Sequence, residues 1–399
     1  MKGFSVLSYS CKGASHEISG KPCQDCSASY SDNNFEYPSA MAIVSDGHGG
    51  ARYFRSDKGS ELAVKITKDV LKSFIKEKEV TGLLRDKSGT FGIESEVGTT
   101  KNDIYNNFKF LISSIITHWN REIKADAQKR PITEWERENV EEKYIKEFED
   151  NSNSETFAFE KIYGCTLMAC VLTEEYWFAF QIGDGKMVFF FRDDEAGIIP
   201  QQPVPWDERC FLNKTTSICD SDAASEFRFA YSGSGEKPLA VFLGSDGIDD
   251  TYGDGDRLTD FYIRLYKELV TTGRKKVLKM LETDLPQLSK IGSKDDMSIA
   301  AIYQNKSEFM ETNYLLMSKW QIDNLKNRIS NIDKRIEELQ QKIQKIGGFG
   351  DLSESQTIEL NYARKDLDRA REEKRELESN ISKIQSTDER FKENRIKDQ

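Results

Sequence analysis

The sequence predicts an α+β protein in two parts: a sheet-rich part to about residue 305, then a helical coiled-coil hairpin with a charged tail over 306–399. Three observations carry this. Before residue 305, short segments rich in Val, Ile, Phe and Tyr alternate with Asp-Gly and Gly-Asp turn signals. A few longer segments repeat apolar residues at helical spacing. After residue 310 the pattern changes to unbroken alternating steps of three and four.

The strands are expected at 3–10, 38–45, 162–172, 175–182, 186–192, 239–245 and 297–303, with a further short segment at 27–30. Helices are expected at 50–78, 101–125, 256–272 and 274–284. In the second of these, Ile104, Phe108, Leu111, Ile115, Trp119 and Ile123 fall on one face. The charged, proline-interrupted stretch 126–160 reads as part of a helical insertion over about 100–160. In the C-terminal part, Ile322, Leu325, Ile329, Ile332 and Ile336 lead to a Gly-Gly-Phe-Gly-Asp turn at 347–351. Leu360, Ala363, Leu367, Ala370 and Leu377 then resume the spacing, with Lys374 as the polar exception. Such a pattern folds back on itself, with arms on the order of 40 Å at ~1.5 Å per residue. Two uses stand beside each other: a self-contained stabilising hairpin, or an arm for homodimerisation or for docking a kinase or other protein.

Hydrophobic residues are 37% of the chain and charged residues 31%, enough for a core with a surplus of charge to keep solvated. The net charge of −11 speaks against nucleic-acid binding, which rewards clustered Lys and Arg. The longest apolar runs are too short to cross a bilayer, and the start MKGFSVLSYS does not resemble a secretion signal. With seven cysteines in no regular framework, a cytoplasmic setting with free thiols is expected. Cys23-x-x-Cys26 has no second pair at zinc spacing.

The chemistry is carried by aspartates. Asp46 ends an apolar run in Ser-Asp-Gly-His-Gly-Gly (45–50), and Asp246 ends another in Ser-Asp-Gly-Ile-Asp-Asp (245–250). Asp184 follows a third run. Asp295 and Asp296 immediately precede the last strand, and Asp25 stands before the segment 27–30. One Asp-Gly pair is ordinarily a turn. Five such sites in a sheet-rich part are different, because antiparallel strands bring their ends together. Clustered carboxylates repel unless cations neutralise them. An all-oxygen donor set selects hard ions, Mg²⁺ or Mn²⁺, and a pair of these suits transfer of a phosphoryl group to water. His48, in a glycine-flanked turn two residues after Asp46, is placed to protonate a departing oxygen. His118 lies in a helical pattern and reads as packing.

Gln24-Asp25, the 45–50 motif, Gly-Cys-Thr-Leu (164–167), Gly-Asp-Gly-Lys (183–186), the 245–250 motif and Lys-Asp-Asp-Met-Ser (294–298) occur in order. Together they resemble the protein phosphatase 2C family in its bacterial-type form, over about residues 5–303. The resemblance implies a sandwich of two antiparallel β-sheets flanked by helices, within a catalytic domain spanning 1–305 and carrying a flap at about 193–236. It implies hydrolysis of phosphoserine and phosphothreonine in proteins by a water or hydroxide held between two Mn²⁺ or Mg²⁺ ions, in a bacterial signalling role. By motif, Asp46 bridges the metals, Asp246 and Asp295 complete the first site, and Asp25 with the Gly47 carbonyl serves the second. Asp184 matches a third, weaker site shared with Asp246, Asp250 an acidic position that steadies water, and His48 the general acid. Thr166 reads as packing beside the site.

Many relatives place an Arg a few residues before the first acidic motif to grip the phosphate, and residues 15–22 contain none. His16, Lys21 and Arg52 are the candidates to replace it. The missing Arg also keeps a second reading in play: a catalytically idle scaffold that binds a phosphoprotein or kinase through the coiled coil.

Overall fold

The structure is a computed structural model. It describes every residue except 1–2, 34–37, 77, 93–102, 153, 155, 196, 211–213, 254, 349–352 and 398–399. The chain divides into two compact units, Met1–Arg192 with Pro200–Met310, and Asp193–Ile199 with Glu311–Gln399.

The strands form two sheets. One has the order β1 (Phe4–Cys11), β11 (Met297–Gln304), β10 (Ala240–Gly244), β7 (Lys186–Asp193) and β8 (Gly197–Gln201). The other has the order β2 (Cys26–Asp32), β3 (Ser39–Ser45), β5 (Leu167–Thr173), β6 (Trp177–Ile182), β9 (Arg228–Ser232) and β4 (Ser88–Phe91). The pairings β1–β11, β11–β10 and β10–β7, and those joining all six strands of the second sheet, are antiparallel.

Every residue of β3, β5 and β6 is buried, which explains why these strands read as continuous apolar runs and not as alternation. One face of each meets the opposite sheet. There Ala42, Val44, Met168 and Cys170 pack with Val6, Phe189, Val241 and Ile302. The other face carries Ile43, Ala169, Phe178 and Phe180, which pack against helices α2 (Ser56–Phe74) and α4 (Asp103–Lys129) through Leu62, Ile66, Phe108 and Ile115. Each large apolar side chain so enclosed contributes about 1.5–3 kcal/mol. Helices α9 (Gly255–Thr272) and α10 (Arg274–Ile291) cover the first sheet, with Phe242 stacked on Tyr262 at 4.9 Å.

The remaining helices of the first unit are α1 (Ala14–Ser19), α3 (Lys78–Leu84), α5 (Glu134–Asn139), α6 (Glu142–Asn151), α7 (Ala223–Glu226) and α8 (Asp246–Tyr252). Strands β4, β8 and β9 were not among those expected, and four of the expected segments differ in extent or role. The helix expected from residue 50 begins at Ser56, because residues 46–55 form the glycine-rich loop. The strand expected from 162 begins at Leu167, after a 3₁₀ turn at Phe159–Ile162. Helix α10 runs through Pro286 to Ile291 instead of stopping before the proline. The stretch 126–160 forms α5 and α6 and contributes to the core through Ile145, Phe148 and Glu136.

In the second unit, α11 (Ser307–Gly347) and α12 (Glu354–Lys397) are antiparallel, with Leu325, Ile332, Ala370 and Leu377 forming the seam. Lys374, the polar seam position, pairs with Asp333 at 2.7 Å. The last three residues of the turn expected at 347–351 lie outside the described residues.

Candidate functional site

Strand register brings the acidic segments to one rim. Cys26 opens β2 opposite Ser45, which closes β3, so Asp25 and Asp46 leave the sheet side by side. Leu167 opens β5 opposite Ile182, which closes β6, placing Thr166 beside the Gly183–Asp184 turn. In the other sheet Gly244, at the end of β10, pairs with Lys186 and with Ile299, so Asp184, Asp246 and Asp295 gather at the same end.

The loop after β3 is fixed by its backbone. Asp46 N–H donates to Thr166 Oγ1 (3.1 Å), its carbonyl accepts from Thr166 N–H (2.7 Å), and Gly47 N–H donates to the Gln24 carbonyl (3.1 Å). A Cβ at Gly47 would stand 2.6 Å from the Gln24 carbonyl oxygen, so only glycine fits. The His48 carbonyl accepts from Ser56 Oγ (2.9 Å) and Gln24 Nε2 (3.2 Å). At the second acidic turn, Ser298 N–H donates to Ser245 Oγ (2.9 Å) and Ser245 N–H to the Ser298 carbonyl (3.0 Å).

Between these segments lies a cavity of about 210 Å³, whose walls include His16, Asp46, Gly47, His48, Asp184, Asp246 and Asp295. Its electrostatics are those of crowded like charges. Burial, then Asp296, Asp246 and Asp295, pushes the Asp25 carboxyl well above the usual carboxylate range, against a hydrogen bond from Ser245. Burial, then Asp246 and Asp25, does the same to Asp46. Asp246 is pushed up to about 7 by burial and by Asp184, Asp295 and Asp250. Asp184 and Asp250 are raised as well, each chiefly by burial. Asp25 Oδ2 and Asp246 Oδ1 are buried without a hydrogen-bond partner. Asp246 lines the cavity, whereas Asp25 is buried behind it among Asp246, Asp295 and Asp296; orphaned carboxylate oxygens in so acidic a place fit hard divalent cations. The residues present therefore suit Mn²⁺ or Mg²⁺.

Asp296 behaves differently. Burial works to raise it, but hydrogen bonds from His16 Nδ1 (2.9 Å), Gly13 N–H (2.6 Å) and Gln24 N–H (2.6 Å) outweigh that and hold it low. It clamps His16 and the Gln24–Asp25 segment together, a role the sequence did not single out for it. Ligand atoms of His16, Asp295 and Asp296 lie within 4.8 Å of one another. His48 packs edge-on against Tyr53 at 4.8 Å, and burial pushes its imidazole down to about 4.

Of the three phosphate-gripping candidates, His16 is in the cavity wall. Lys21 Nζ donates to the Gly49 carbonyl at 3.1 Å. Arg52 is exposed and lies 4.0 Å from Glu147 of α6. The stretch 193–236, unpatterned in sequence, supplies supports that sequence reading missed. Thr216 Oγ1 accepts from Gly183 N–H (3.0 Å), buried Arg228 donates to the Gly183 carbonyl, and a hydrogen bond from Thr215 favours ionised Asp184. These side chains hold the turn that carries Asp184.

Several solved structures are similar to this chain. The catalytic domain of the serine/threonine protein phosphatase PstP in complex with two manganese ions is 12% identical over 76% of this chain and 99% of its own, at a TM-score of 0.40. The Mycobacterium tuberculosis phosphatase PstP/Ppp is 11% identical over 76% of this chain and 99% of its own, at a TM-score of 0.39. PppA of Pseudomonas aeruginosa, a regulatory component of T6SS, is 14% identical over 75% of this chain and 97% of its own, at a TM-score of 0.37. No curated protein matches in sequence. The family assignment rests instead on a sequence profile, described as protein phosphatase 2C, that matches residues 12–282. With well over half of its length matched, the chain belongs to the protein phosphatase 2C family and is a serine/threonine protein phosphatase.

Proposed function

We propose that the catalytic unit, residues 1–305, hydrolyses phosphoserine and phosphothreonine esters in proteins with two divalent cations, Mn²⁺ or Mg²⁺, held in the acidic cavity. The observation that carries this is the pair of orphaned carboxylate oxygens on Asp25 and Asp246, beside an Asp46 that burial and its neighbours push toward protonation. Asp46 would be shared between the ions. Asp246 and Asp295 would complete one site, Asp25 and the Gly47 carbonyl the other, and Asp184 with Asp246 a weaker third. When bound, the ions supply Lewis acidity: they acidify water and neutralise the phosphoryl oxygens.

The chain's own groups do the rest. His16, held by Asp296 in the cavity wall, would meet the entering phosphoryl group where relatives use Arg. Asp250 is exposed at the edge of the acidic group, where it can order water. His48 is neutral in the substrate-free cavity, and the negative charge of a phosphoester would favour the protonated form needed to hand a proton to the departing alkoxide. The missing Arg favours the alternative of an idle scaffold docking a kinase or phosphoprotein, but the filled acidic positions and His16 in the wall favour catalysis. Seven free thiols fit a cytoplasmic setting. Purified protein should hydrolyse p-nitrophenyl phosphate and a phosphothreonine peptide on addition of Mn²⁺ and stop on addition of EDTA; turnover indifferent to chelation would refute the metal mechanism.

A further inference from the structure

Asp296 is a buried carboxylate that the proposed metal set leaves out, and its donors explain why it is there. It is 2% exposed and stands beside Asp25, yet three N–H groups keep it ionised. Oδ1 accepts from Gly13 N–H at 2.6 Å. Oδ2 accepts from Gln24 N–H at 2.6 Å and lies 2.9 Å from Nδ1 of His16. Two of these donors are backbone groups that cannot be reversed, so an Asn here would turn its NH₂ against one of them, whichever way round it lay. An ionised carboxylate can only accept, so the hydrogen shared with His16 belongs to Nδ1. With Nδ1 taken, Nε2 is the ring nitrogen left for a ligand.

The ring is held through its backbone as well. His16 is 8% exposed, on α1, in the cavity wall with Asp46, His48 and Asp295. Ala14 N–H donates to Ser289 Oγ (3.0 Å), and Ser15 N–H and Oγ both donate to the Lys294 carbonyl (2.9 and 2.8 Å). These bonds tie α1 to the segment that carries Asp295 and Asp296. The same Oδ2 serves Gln24, which precedes Asp25, so one oxygen keeps the ring and the acidic segment in a single register. Among the described residues that line the cavity there is no Lys or Arg. With His48 assigned to the leaving group, His16 is the base in the wall that can meet a phosphoryl oxygen as an imidazolium, donating from Nε2.

We infer that Asp296 is a positioning residue for the phosphoryl group: it holds Nδ1 of His16 so that Nε2 meets a phosphoryl oxygen, and the pair takes the place of the arginine that residues 15–22 lack. This rests on the phosphatase reading for the identity of what is bound. The test titrates inorganic phosphate calorimetrically into full-length protein at saturating Mn²⁺, with melting temperatures measured alongside. An Asn amide stands where Nδ1 stands, and a Gln amide where Nε2 stands. His16→Asn therefore keeps the bond to Asp296 and loses the phosphate contact. Its melting temperature should stay within about 2 °C of wild type, while the phosphate Kd rises about tenfold, as loss of one charge-assisted hydrogen bond allows. His16→Gln keeps a donor without the bond that aims it, and should raise Kd about threefold. Asp296→Asn should raise Kd about threefold in the wild type and less than about 1.5-fold in the His16→Asn background, because it acts through the ring. In turnover of p-nitrophenyl phosphate its KM should rise more than its kcat falls. An unchanged Kd in His16→Asn overturns the inference, as do equal factors for Asp296→Asn in both backgrounds, which would make Asp296 merely structural. Should Asp296→Asn fail to fold, the two His16 variants decide. A nitrogen coupling in the pulsed EPR spectrum of bound Mn²⁺ that vanishes in His16→Asn would put Nε2 on the metal and also overturn it. Wild-type protein that binds phosphate in this His16-dependent way but leaves p-nitrophenyl phosphate intact would count against the phosphatase reading instead.

Discussion

The acidic rim and the C-terminal hairpin both bury polar groups, but only at the rim are several like charges crowded together. In the hairpin, the buried polar groups are spaced out: Lys374 pairs with Asp333 at 2.7 Å beside an aliphatic seam, Ser318 Oγ donates to Asp388 at 2.6 Å, and Asn313 is buried with its amide atoms unpartnered. At the rim, Asp25, Asp46 and Asp246 are buried beside one another, with two oxygens unpartnered. Local consistency is what makes a fold, and a crowd of buried like charges is the kind of violation that trades stability for chemistry. The surrounding sandwich makes that violation tolerable, because its strands are buried and paired.

Predictions that break this contrast can be ordered by size. Asp46→Asn or Asp246→Asn should lower Mn²⁺-dependent turnover at least about 10²–10³-fold. The same change should leave the metal-free protein as stable or raise its melting temperature by roughly 2–4 °C, since a repelling charge is gone. Parallel loss of melting temperature and turnover would mean these carboxylates are structural. His48→Ala should slow alkyl phosphoester hydrolysis about 10²-fold and aryl ester hydrolysis less, because aryl leaving groups need less protonation; equal losses on both substrates would argue against the acid role.

A buried ion pair inside the same unit gives the next effect. Arg55 donates to Glu136 Oε1 at 2.7 Å and Oε2 at 3.2 Å, with its guanidinium 4.4 Å from the Phe148 ring. Burial would raise Glu136, but Arg55 and Thr133 outweigh it and hold the carboxyl below its ordinary value. A lowered folded-state value stabilises above the unfolded pKa, and that stability is lost as pH falls through the folded one. Glu136→Gln should therefore cost about 3 kcal/mol at neutral pH, with the gap to wild type closing in acid. A gap that stays constant with pH, measured by denaturant unfolding, would contradict the pairing. In the hairpin, Leu377→Ala should cost about 2–3 kcal/mol by the same measurement and leave Mn²⁺ affinity unchanged.

How much of this was legible in the sequence follows from the same physics. The apolar runs of β3, β5, β6 and β10 and the helical face of α4 stood out because burial demands them. The heptad steps exposed the hairpin for the same reason. The aspartates were visible because each ends or precedes a run. Edge strand β4, Ser-Gly-Thr-Phe, was invisible because it lacks apolar alternation. Strand β9 was hidden by Arg228, a buried charge whose reason for being there is the Gly183 carbonyl, far off in sequence. The charged stretch 126–160 concealed a core contact because Glu136 becomes compatible with burial only through Arg55. Asp296 stood beside Asp295 without a role of its own in the sequence, and only the fold brings it the three donors that make it a clamp.

The most direct test of the central claim is calorimetric titration of Mn²⁺ into chelator-treated protein. Two ions per chain should bind to the wild type, and Asp46→Asn should weaken both, since the proposed mechanism shares its carboxylate between them. Wild-type protein that takes up no Mn²⁺, or an Asp46→Asn variant that binds as the wild type does, would contradict the account.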